Sequence, residues 1–446
     1  MKGIAVPHPP GRSGVRWIIL ALLFLASFVA YVLRTNMSIA GESMSADLGL
    51  SRFQLGMVLA AFAWGYAIFQ FPGGVLGDRM GGRKALTLMA IAWAGLNLLV
   101  GFVPSAGATS PLFALVSLAT LRFLMGAAQA PLYPVTGGGT TCAWFPVSGW
   151  ALPNGMSNAG LTLGSAATGP LIVWLIGSVG WRQSFVLTAP LGLAIALVWW
   201  WYARDTPAEH PAVSQGELDL IDQDRPDPPP TREEQGDWRE VLANPQVRLL
   251  TLGYFCSNYL FYFFFNWLFI YLIDNRHFKA LEGGYLAALP WIIGAVGALL
   301  GGLGCDALSK RRGIRLATRL AGGCGLGLSA ILIVAAGLAP NPYMAVLFLS
   351  LCLGCQQFTE GAFWAATISV SGRHVSAACG VLNTGGNVVG GIGALLVPVI
   401  VDRLGWPAAL ASASCFALVG AATWLWVKAG SVDGLPEAAP LPEPAA

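Results

Sequence analysis

The chain has 446 residues, of which 55% are apolar and 11% charged, with a formal net charge of +3. Soluble proteins carry about 25% charged residues, so this composition excludes a soluble domain, and with no basic stripe it excludes a nucleic-acid partner. Eight cysteines lie in or beside apolar runs, unlike the disulfide framework of a small secreted domain. Cys352 and Cys355 form a CxxC with no second pair and no histidine nearby, so neither a metal nor another cofactor is expected.

In chain order, a basic segment (1–16) precedes an apolar run of about two dozen residues, too long for a signal-peptide core. It reads as the first of the membrane helices, each of which needs about 20 mostly apolar residues. The pattern predicts spans at 17–40, 53–76, 85–103, 112–134, 150–177 and 183–202, then at 247–273, 284–307, 318–338, 343–368, 378–401 and 406–427. The expected architecture is an all-α membrane protein of twelve helices in two six-helix halves, 17–202 and 247–427. A polar, Pro-rich inter-half loop (203–246) divides them, and a short tail (428–446) follows.

Lysine and arginine place both termini in the cytoplasm. In that orientation 18 of the 25 basic residues face inward and five outward. The other two, Arg34 and Arg122, lie inside spans. "GDRMGGRKA" (77–85) follows the second helix and "GCDALSKRRGIR" (304–315) follows the eighth. Asp78 and Asp306 are about half the chain apart, which indicates an internal duplication of the kind that builds rocking transporters.

A charge inside a span costs roughly 2.5–3.5 kcal/mol on insertion scales and is retained where it faces a water-filled cavity. A guanidinium matches a carboxylate bidentately, so Arg34 and Arg122 together predict an anion site. Gln129 shares the helix face of Arg122. Glu360 is the one acid well inside a span, with Gln356 and Trp364 on its face. It is the candidate for a coupling proton or sodium ion, with a static ion pair to an arginine as the alternative. Tyr31 lies one turn before Arg34. Phe62, Tyr66 and Gln70 share a face in the second helix, Tyr262 and Asn266 in the seventh, and Asn383 and Asn387 in the eleventh.

"GDRMGGRK" resembles the loop signature of the major facilitator superfamily. "YVLRTNMSIA", "FAWGYAIFQFPGGVLGDRMGGR", "WYARDTPAEHPAVSQGE", "EGAFWAATI" and "GVLNTGGN" together resemble its anion:cation symporter family, over nearly the whole chain. That resemblance implies a transporter of an organic anion such as a sugar acid, aromatic acid or dicarboxylate, coupled to H+ or Na+. It implies anion recognition at Arg34 and Arg122, and it supports Tyr31, Tyr66 and Asn383 as cavity residues. Asp78, Arg79 and Arg83, with Asp306 in the second half, become the gating loops. Two departures stand out. Leu33 and Gln129 occupy positions where many members of the family have acids, and 143–150 lacks the charges usual in the matching loop. The first departure keeps an uncoupled uniporter or exchanger as the alternative. A non-transporting sensor is a lesser alternative, and no catalytic set suggests an enzyme. The expected setting is a bacterial inner membrane, with lipid and a small organic anion as the partners and the monomer as the working unit.

Overall fold

The computed structural model describes residues 13–105, 110–145, 151–222, 238–371 and 375–430. Its helices are α1 (Val15–Leu48), α2 (Arg52–Met80), α3 (Gly82–Val100), α4 (Pro111–Gln129), the short α5 (Thr141–Trp144) and α6 (Ala151–Tyr202). The inter-half segment contributes α7 (Gln215–Asp222) and α8 (Trp238–Ala243). The second half is α9 (Pro245–Asp274), α10 (Ala280–Arg312), α11 (Ile314–Leu338), α12 (Pro342–Phe358), α13 (Glu360–Val370) and α14 (Val375–Thr423).

Among these residues ten helical stretches are long and apolar enough to cross a membrane. Two of them are double. The 52 residues of α6 would extend about 78 Å at 1.5 Å per residue, more than twice a hydrocarbon core. Gly180, at φ 84°, breaks that helix, and Gly405, at φ 81°, breaks α14 in the same way, so the spans number twelve. Gly81 (φ 81°) joins α2 to α3 and Gly313 (φ 83°) joins α10 to α11. Only glycine adopts this backbone without strain. The same joint at equivalent places in each half is the structural trace of the duplication.

Within the first half α1 packs on α6 and α2 on α4. The equivalent pairs in the second half are α9 with α14 and α10 with α12. Two contacts join the halves closely on the face opposite the inter-half segment. A Cβ on Gly169 of α6 would lie 2.5 Å from the carbonyl oxygen of Gly284 in α10, and one on Gly56 of α2 would lie 2.5 Å from that of Ala394 in α14. Small residues let backbones meet in this manner.

The segment expected as an open inter-half loop is structured at its start. Glu217 of α7 is 3% exposed, and its carboxylate accepts hydrogen bonds from the Ser13 hydroxyl (2.5 Å) and from the backbone amides of Val15 and Arg16 (both 3.2 Å). Gly14, the cap residue of α1, has no side chain to offer. The free amides of the helix start are met by a carboxylate from some 200 residues away, where the helix dipole also favours negative charge.

Candidate substrate site

Arg34 lies in the interior of α1 and is 2% exposed. Its Nη1 donates to the Tyr31 hydroxyl and its Nη2 to the Tyr262 hydroxyl, both at 3.1 Å. Tyr262 comes from α9, so the guanidinium is held from both halves. The rings of Phe62, Phe265, Tyr31, Tyr66 and Tyr262 surround its carbon at 4.6–5.9 Å. Such cation–π contacts partly replace water around a buried cation. Tyr262 in turn donates to Asn387 Oδ1 at 2.8 Å. Asn387 donates to Asn383 Oδ1 at 3.2 Å and to Gln70 Oε1 at 3.4 Å.

Arg122, on α4, is 4% exposed and stands behind Arg34. Its Nη2 donates to the Arg34 carbonyl at 3.1 Å, and its carbon lies 4.7 Å from the Phe62 ring that Arg34 also touches. The Nε atoms of both arginines have no hydrogen-bond partner. Among the described residues neither is ion-paired, since the four ion pairs there involve Arg16, Arg52 and Arg182. Two buried guanidinium groups thus share the Phe62 ring, and among the described residues neither has an ion-pair partner.

The second half contributes a carboxylate. Glu360, the first residue of α13, is bonded to the Tyr254 hydroxyl (2.7 Å) and to Trp364 Nε1 (3.0 Å), both donating to Oε1. The Trp364 ring lies nearly parallel to Tyr133 of the first half, with centroids 6.3 Å apart at 22°. No static ion pair between Glu360 and Arg34 or Arg122 is formed.

Other expected residues are placed differently. Gln129 Nε2 donates to the Ala30 carbonyl at 3.0 Å and the residue is 1% exposed, so its amide is engaged with the backbone of α1. Arg79 is exposed at the end of α2. Arg83 binds within its own half: Nε and Nη2 donate to the Trp200 carbonyl (3.0 and 2.6 Å), and its backbone amide donates to Asp205 Oδ1 (2.8 Å). The side chains of Asp78 and Asp306 lie outside the described set, as do residues 146–150 of the charge-poor loop.

Tyr254 and Phe265 join the site without having been singled out, and Tyr133, at helical spacing from Arg122, meets Trp364. A signal for Tyr254 was present: Tyr254, Asn258, Tyr262 and Asn266 recur every four residues along an otherwise aromatic helix.

A twelve-span protein in two equivalent halves, with unpaired charges between them, is a membrane transporter rather than an enzyme. The sequence profile of the Major Facilitator Superfamily matches residues 23–355, and the chain belongs to that family. It is similar to the probable galactarate/D-glucarate transporter GudP of Bacillus subtilis (strain 168), with 32% identity covering 91% of this chain and 90% of that one. The probable sulfoacetate transporter SauU of Cupriavidus necator is 29% identical, covering 88% and 89%. The hexuronate transporter of B. subtilis (strain 168) is 29% identical, covering 87% and 88%. Among solved structures, a bacterial homolog of the human lysosomal transporter Spinster, inward-facing and occupied, superposes with a TM-score of 0.74 at 18% identity. That match covers 94% of this chain and 97% of the other, and it speaks to the fold alone.

Proposed function

We propose that this protein carries an organic anion across a bacterial inner membrane by alternating access, with both termini cytoplasmic and the monomer as the working unit. The observation that carries this reading is the pair of buried arginines, neither with an ion-pair partner among the described residues. A substrate carboxylate supplies that partner at Arg34, with Arg122 behind it. Tyr31, Tyr66, Gln70, Asn383 and Trp364 meet the rest of the molecule in this reading. The names of the relatives, a probable galactarate/D-glucarate transporter, a probable sulfoacetate transporter and a hexuronate transporter, support the same class.

Cotransport of H+ or Na+ is assigned to Glu360, the half-buried acid bonded to Tyr254 and Trp364. A second reading, uniport or exchange, is favoured by one observation: Leu33 and Gln129 leave the first half of the chamber without an acid. The test is uptake of labelled sugar acids into proteoliposomes, with and without imposed proton and sodium gradients. Saturable uptake that Arg34→Ala abolishes supports transport, and accumulation against a gradient supports coupling. Uptake that equilibrates but never concentrates favours the second reading, and no uptake of any organic acid tested would refute the proposal.

A further inference from the structure

Resting on the reading of this chamber as the substrate site, we infer that the protein selects acids with one carboxylate and a hydroxyl-bearing far end, and disfavours dianions, because Glu360 faces the substrate opposite Arg34.

The two charges of the chamber are segregated. The cationic groups, Arg34 and Arg122, belong to α1 and α4 of the first half, and the anionic group begins α13 of the second. No lysine or arginine among the described residues lies in the middle of a span of the second half. The two ends are related through α9: Tyr254, which donates to Glu360, lies about two turns before Tyr262, which receives the hydrogen bond of Arg34. The Tyr133 ring lies against Trp364, which holds Glu360.

The hydrogen bonding of Glu360 is lopsided. Tyr254 and Trp364 both donate to Oε1, and among the described residues nothing bonds to Oε2. Oε2 is not among the fully enclosed side-chain atoms without a partner, and the residue as a whole is half-buried. An acceptor oxygen with free lone pairs suits a hydroxyl donor. While Glu360 holds no cation, a second carboxylate at that point would meet a like charge in a site of low dielectric, where repulsion is strong. A linear acid with its carboxylate on Arg34 therefore presents its far end to Oε2, and the chemistry of that end decides affinity.

D-Gluconate and D-glucarate isolate this variable. They share a carbon chain and hydroxyl configuration and differ at C6, a hydroxymethyl in one and a carboxylate in the other. Calorimetric titration of the purified full-length protein at neutral pH is expected to show gluconate binding at least about tenfold tighter. Glu360→Gln keeps the shape and removes the charge, so it should shrink that ratio to about threefold or less. Glu360→Asp, which retains the charge, should preserve the preference. Equal binding of the two acids by the unmodified protein overturns the inference and leaves the anion site standing. A preference unchanged in a folded Glu360→Gln variant overturns it as well. If neither acid binds the unmodified protein, the reading of the chamber as a sugar-acid site fails, and this inference with it.

Discussion

Arg52, the first residue of α2, is ion-paired with Asp274, the last residue of α9, across the boundary between the halves. Asp402 approaches the same guanidinium at 3.4 Å, and the Trp406 ring lies 5.7 Å from its carbon. The pair is partly exposed, so it is worth about 1 kcal/mol or less. Separation of the halves on this face would break it. Arg52→Ala should raise the population open on this face several-fold. Distances between spin labels at the ends of α2 and α9 report that population, and an unchanged distance distribution would remove Arg52 from the latch.

Arg34→Ala should abolish uptake of organic acids. Arg34→Lys should recover little, because an ammonium cannot span the hydroxyls of Tyr31 and Tyr262 as a planar fork does. The measurement is initial uptake rate in proteoliposomes at matched protein incorporation. Near-normal uptake by the alanine variant would take Arg34 out of the site.

Glu360→Gln should lose gradient-driven accumulation while labelled substrate still exchanges for unlabelled. Glutamine copies the protonated acid and accepts from Tyr254 and Trp364 through its carbonyl, but it cannot cycle. A glutamine variant that still concentrates substrate would separate Glu360 from coupling.

Gly169→Ala should prevent the close approach of α6 to α10, since a Cβ there meets the Gly284 backbone. Overpacking of this kind costs about 1–3 kcal/mol, enough to shift the closed population by about tenfold. Gly177→Ala, where a Cβ meets nothing within 4 Å, is the matched control. Equal transport by both variants would show that the crossing tolerates bulk.

His210 gives a pH dependence outside the membrane. It lies beside the Trp144 and Tyr202 rings, and its Nδ1 accepts from the Ala212 amide at 3.2 Å. Burial, and then Arg204, hold its imidazole below the ordinary value. The unfolded segment takes up a proton near pH 6.5 and the folded one only at lower pH, so stability is full above 6.5 and is lost as pH falls through the folded value. Hydrogen exchange of residues 204–222 should rise between pH 7.5 and 5.5 after correction for intrinsic rates, and His210→Gln should flatten that rise.

The spans and their duplication were legible because hydropathy and glycine joints are local features, although the turns at Gly180 and Gly405 proved to be single-residue breaks. Arg34 was legible because a charge in an apolar helix is conspicuous. Helical spacing held as far as Gln129, which like Arg122 donates to a carbonyl of α1. Beyond it the chain turns at Ala130 and Pro131 and continues as a π-helix from Pro134 to Thr140. Proline interrupts the hydrogen-bond ladder and a π-turn changes the rotation per residue, so Tyr133 leaves that face and reaches Trp364. The partners of Arg83 and Glu217 were out of reach for another reason. Each bond joins residues more than 100 apart in the chain, and no periodicity encodes it.

The grip of Glu217 on the first turn of α1 has a practical corollary for dividing the polypeptide. If the molecule were synthesised as two fragments, a cut beyond Asp222 would leave with the amino-terminal piece the carboxylate that caps its first helix. A cut ahead of Thr206 would hand that carboxylate to the wrong fragment and leave the opening helix frayed. Fragment complementation and chimaera building therefore have a natural seam, and it falls well past the last residue of α6.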